Sequence, residues 1–78
     1  MIIKILGSGC RKCVALAENT QVALDRLGRH ADIVKVTDFA EIAAMGVMST
    51  PALAIDDQVV AFGKVLMPGE IETLLKGR

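Results

Sequence analysis

Cys10-Arg11-Lys12-Cys13 holds the only two cysteines of the chain, separated by two residues. They follow an apolar run (Ile2, Ile3, Ile5, Leu6) and open a stretch with helical periodicity. Two thiols at this spacing, at a helix start, can close a disulfide and reopen it without unfolding anything. In a chain with βα alternation that pattern reads as a thiol–disulfide exchange site. The first thiol meets unpaired backbone N–H groups and the positive end of the helix dipole, both of which favour its thiolate. Arg11 and Lys12 add positive charge beside it. Basic residues in a first helical turn oppose the dipole, so their presence here favours a functional purpose. Neutralising both is expected to raise the pKa of Cys10.

The elements that must position this pair are legible along the chain. Met1 to Leu6 is short, β-branched and almost wholly apolar, as in strands buried on both faces. Gly7-Ser8-Gly9 is a loop, and Ser8 or Gly9 suits a helix cap. From about Arg11 to Leu27, Cys13, Leu16, Ala17, Thr20, Ala23, Leu24 and Leu27 form one helical stripe. Gly28 stands where a helix-ending glycine belongs. Ala31 to Val36 reads as a second strand, with Ile33, Val34 and Val36 supplying core.

Asp38 reads as the N-cap of a short helix, with Glu41 completing a capping-box-like pair. Phe39, Ile42 and Met45 would cover one side of it, and Gly46 stops it. Val47-Met48-Ser49-Thr50-Pro51 is a loop. Ala52 to Ile55 and Gln58 to Phe62 are strands joined by a tight turn at Asp56-Asp57. Pro68 begins a last helix, at the position proline tolerates best, with Ile71, Leu74 and Leu75 as its apolar face. The order is β-α-β-α-β-β-α. The first βαβ unit requires parallel strands, and the later hairpin adds an antiparallel pair. The expected fold is α/β: one domain over residues 1–78, a mixed four-stranded sheet flanked by three helices.

Composition narrows the function classes. The chain of 78 residues is 53% hydrophobic but only 3% aromatic, so its core must be aliphatic. Nine basic and nine acidic residues balance to zero, which argues against nucleic acid as a partner. A local positive spot around Arg11, Lys12 and Lys64 is still compatible with that balance. No segment is long and apolar enough to span a membrane, and the N-terminus has no signal-like pattern. The expected location is cytoplasmic, where a permanent structural disulfide is disfavoured and a transient one is not.

Three features taken together resemble the thioredoxin-like superfamily. They are Cys10-Arg11-Lys12-Cys13 after the first strand, Thr50-Pro51 before the third, and Gly63 after the fourth. The length and the stretch Gly46 to Leu53 look most like its small, glutaredoxin-sized prokaryotic members, the redox-active disulfide proteins. The resemblance covers essentially the whole chain. It implies a thiol–disulfide oxidoreductase with Cys10 as exposed nucleophile and Cys13 as the more buried resolving thiol. It implies that Thr50-Pro51 is a cis-proline pair beside the disulfide, where the backbone pairs with an extended substrate. Met48 and Gly63 would flank that substrate groove. No cofactor is implied beyond the disulfide itself, and no metal. The implied partners are a disulfide-containing substrate and a reductase, with the chain acting as a monomer.

The chain departs from that pattern at several positions. There is no Trp before Cys10 and no Gly-Pro between the cysteines. Gly63-Lys64 replaces the Gly-Gly of glutaredoxins. No acidic residue in the first strand can accept the proton of Cys13.

The competing class is soft-metal or metalloid binding, Cu(I) or As(III), by the same two sulfurs. Small copper carriers place a Met where Ser8 stands here, and their strand order is β-α-β-β-α-β. Zinc would need more ligands than two cysteines and the single His30 provide. His30 lies at the far end of the first helix and reads as solvated. Asp56-Asp57 reads as turn chemistry. Phe39 and Phe62 read as core, and Met45, Met48 and Met67 as core or loop packing.

Overall fold

The computed structural model describes residues 1–9 and 11–77. Seven elements follow in the expected order: β1 (Ile2–Leu6), α1 (Arg11–Leu27), β2 (Asp32–Val36), α2 (Phe39–Ala44), β3 (Ala52–Ile55), β4 (Gln58–Phe62) and α3 (Pro68–Lys76). The sheet order is β2-β1-β3-β4. β1 pairs parallel with β2, Ile5 opposite Lys35, and antiparallel with β3, Ile5 opposite Leu53. β3 and β4 form the antiparallel hairpin.

Alternation along the strands divides the core in two. Ile3, Ile5, Leu53 and Ile55 face α1 and α3, packing against Leu16, Ala23, Leu24, Ile71 and Leu75. Leu6, Val36, Ala52 and Ala54 face the other way, under Ile42 of α2 and Val47. Thr20 sits in the α1 stripe fully buried, and its hydroxyl donates to the Leu16 carbonyl at 2.7 Å. That bond removes the cost of burying a polar group.

Two aspartates build the hairpin turn. Asp56 and Asp57 have φ of 49° and 67°, the left-handed pair that a two-residue turn requires. Asp56 Oδ1 also accepts the Ile2 N–H at 2.9 Å, and Asp57 pairs with Lys4 at 2.6 Å. The turn therefore holds the start of β1 as well as its own hairpin. Asn19 donates to the Leu66 carbonyl and Arg29 to the Leu75 carbonyl, tying α1 to both ends of α3.

Asp38 caps α2 by accepting the Ala40 N–H at 2.9 Å. The bond goes to Ala40, and no reciprocal bond from Glu41 completes a capping box among the described contacts. Replacing Asp38 with alanine is expected to cost about 0.5–2 kcal/mol, read as a lower denaturation midpoint with an unchanged slope. A smaller loss would mean that packing of Ile42 alone holds the helix.

Five residues depart from their sequence-based expectations. Phe39 is 74% exposed and Phe62 is 62% exposed, so neither is a core residue. α2 is a helix of 6 residues whose contribution to its half-core is Ile42; Phe39, at its first position, lies outside that cluster. Phe62 lies on the α2 side of an edge strand, opposite Ala52 and outside the cluster under α2. Val34 is exposed for the related reason that the short helix leaves its end of the sheet uncovered. Met48 and Met67 project into solvent rather than packing.

Candidate active site

β1 ends at Leu6, and α1 is described from Arg11 onward, with Ser8 and Gly9 in the connection between them. Cys10, the expected nucleophile, lies outside the described residues. Gly9 has φ of 83°, a left-handed conformation that a side chain would disfavour. This glycine redirects the chain from the strand end into the helix. The Gly7 N–H donates to the Val36 carbonyl at 2.9 Å, extending the β1–β2 ladder by one residue.

Cys13 stands in the first turn of α1 and is 5% exposed. It is held against the end of β1. A Cβ placed on Gly7 would overlap the Cys13 Sγ and would stand 3.7 Å from the Thr50 Cβ. Gly7 therefore lies between the thiol and the Thr50 loop. The Thr50–Pro51 peptide bond is cis, with Thr50 exposed and Pro51 buried. The Gly63 N–H donates to the Pro51 carbonyl at 2.9 Å, and Ser49 packs against Gly63. Gly63 has φ of 75°, so glycine serves there both for its backbone and for that close approach.

Cys13, Thr50, Pro51 and Gly63, far apart in sequence, thus meet at one end of the sheet. Arg11 and Lys12 are exposed on the first turn of α1. Met48, two residues before Thr50, is 94% exposed. Lys64 pairs with Glu70 at 3.5 Å, so it does not join Arg11 and Lys12 in an unbalanced positive spot. His30 is exposed and lines a shallow depression with Met1, Ala31 and Asp32, away from these residues. Among the described residues no three His, Cys, Asp or Glu side chains cluster as a metal site would need, and no helix is long and apolar enough to cross a membrane.

Sequence reasoning missed three neighbours of Cys13. A cavity of about 80 Å³ adjoins it, lined by Ile5, Gly7, Gly9, Val14, Lys35 and Thr37. Among the described residues, Lys35 is the charged one in its lining. Its signal was present in the β1–β2 register: Lys35 pairs with Ile5 and so shares the α1 face. Gly7 reads as loop from its neighbours Ser8 and Gly9, yet it continues the Ile3, Ile5 row toward the helix. Thr37 follows β2 directly, and no periodicity marked it.

A mixed sheet with a buried thiol at a helix start, against a strand end and beside a cis-proline loop, defines an α/β protein of the thioredoxin-like class. The sequence comparisons agree. The family model described as a thioredoxin domain matches residues 1–76, and the chain belongs to that family. A protein named thioredoxin from Methanocaldococcus jannaschii is 46% identical over 76 residues, spanning 97% of this chain and 87% of that protein. Another so named, from Methanothermobacter thermautotrophicus, is 33% identical over 75 residues, spanning 96% of this chain and 97% of that one.

Proposed function

We propose that this protein is a thiol–disulfide oxidoreductase that works through Cys10 and Cys13. The observation that carries the reading is the placement of Cys13: buried in the first turn of α1, packed on the end of β1 and next to Thr50–Pro51. Relatives named thioredoxin over nearly the whole chain support the same reading.

Cys10 is the entering thiolate in this scheme. It attacks one sulfur of a substrate disulfide, forms a mixed disulfide and expels the other substrate sulfur as a thiolate. Cys13 then loses its proton to solvent and attacks Cys10. The Cys10–Cys13 disulfide forms, and the second substrate sulfur leaves reduced. A separate reductase must return two electrons to the pair. The exposed Thr50, Met48 and Phe62 offer an extended substrate polar and apolar contacts. The substrate class is a protein or small-molecule disulfide, and Gly63 keeps the loop that receives it in place.

Alkylation of the reduced protein across pH, with each site mapped by mass, tests this. Cys10 is expected to react well below the range of an ordinary thiol while Cys13 stays protected. Equal behaviour of both thiols would sink the exchange reading and promote soft-metal or metalloid capture. Replacing Arg11 and Lys12 together with glutamine should shift the Cys10 profile to higher pH, because two cations that favour its thiolate are gone. An unmoved profile would show that these side chains do not act on it.

A further inference from the structure

Gly7 has no backbone reason to be glycine. The positive-φ glycines are Gly9, Gly28, Gly46 and Gly63, and Gly7 is not among them. Strand alternation explains the position instead. Ile3 and Ile5 point toward α1, and residue 7 continues that row. A side chain there would be aimed at the first turn of α1, where the overlap with the Cys13 Sγ arises. The sulfur belongs to a short side chain with a single χ1, so it can yield only by changing rotamer.

We propose that Gly7 is a positioning residue for the resolving step: its missing side chain sets where the Cys13 sulfur stands. The proposal rests on the exchange reading above. With any side chain at position 7, the sulfur would have to leave its place. The space that could receive it is the adjoining cavity bounded by Ile5, Val14, Lys35 and Thr37. A sulfur so displaced would no longer hold the position from which the resolving attack starts in the native protein. The first step, which uses Cys10 alone, would be spared.

The chemistry separates the two steps cleanly. Reduced protein mixed with dithiobis(nitrobenzoate) releases one coloured thiolate when Cys10 attacks and is arylthiolated. It releases a second when the Cys13 thiolate, its proton passed to solvent, displaces the remaining aryl thiolate from Cys10. Wild type should release both equivalents rapidly. In Gly7→Ala the first is expected at the wild-type rate within about twofold, and the second slowed by about tenfold to a hundredfold, as a misplaced reacting atom implies. Equal rates for the second equivalent in variant and wild type would overturn the proposal, as would equal slowing of both steps.

A stability comparison covers the case in which Gly7→Ala does not fold. In a Cys13→Ala background the sulfur is absent, so adding Gly7→Ala should leave the melting temperature nearly unchanged. The same substitution beside an intact Cys13 should lower it. Equal losses in the two backgrounds would show that glycine is needed for something other than the sulfur, and would overturn the proposal. Wild type that releases only one equivalent would instead sink the exchange reading itself, and this proposal with it.

Discussion

Cys10→Ser is expected to reduce catalysed disulfide exchange to the uncatalysed rate, while Cys13→Ser stops the reaction halfway. An alcohol is not ionised at neutral pH and is a far weaker nucleophile toward sulfur than a thiolate. Cys13, 5% exposed, cannot take over the entering role. The Cys13→Ser protein keeps Cys10, so on the exchange reading it should accumulate as a stable mixed disulfide with its substrate. Intact-mass measurement reads that adduct directly, and a thiol reductant should release it.

The two single variants also separate the competing classes of function. Exchange predicts asymmetry: one variant inert, the other trapped. Soft-ion capture by two thiolates predicts symmetry, because either loss removes half of the ligand pair. A Cys10→Ser protein that still forms mixed disulfides through Cys13 would overturn the assignment of the nucleophile. Equal loss of Cu(I) or As(III) binding in both variants, with no adduct in either, would favour the metal reading.

Leu53→Ala is expected to have the largest effect on stability. Leu53 is fully buried at the centre of the larger half-core, paired with Ile5 on one side and Ala61 on the other. Truncating a buried leucine costs about 2–5 kcal/mol, through lost transfer energy and the cavity left behind. A chain of 78 residues has only about 4–12 kcal/mol in total. The melting temperature should therefore fall by roughly 8–40 °C, at about 4–8 °C per kcal/mol for a domain this small. Val34→Ala is the control. Val34 is 42% exposed, so the same experiment should register about 0.5 kcal/mol or less. Similar losses at both positions would contradict the division of the core described above.

Much of the fold was legible because most elements carry their own signals. The Asp38 cap, the Asp56-Asp57 turn, Pro68 at the start of α3 and the Cys13 to Leu27 stripe of α1 are local, and each lies where it was expected. Misread positions share a different property. Phe39, Phe62 and Val34 are apolar residues with correct periodicity that find nothing to cover them. Periodicity assigns a face to a residue, but whether that face is buried depends on the length of the element packed over it. Here α2, at 6 residues, is too short to cover its side of the sheet.

For the candidate site, the spacing of Cys10 and Cys13 at a helix start suggested thiol–disulfide chemistry from residue type and short-range order, which survive in a bare string of letters. The parts expected of Thr50-Pro51 and Gly63 came instead from the resemblance to thioredoxin-like proteins. The tertiary structure alone decided that the Gly7 position stands between Cys13 and Thr50, that Gly63 binds the Pro51 carbonyl, and that Lys35 shares a cavity with Cys13. Each of these is a contact between segments distant in sequence. Such contacts depend on strand order and register, and a shift of one residue in a strand turns every side chain to its other face.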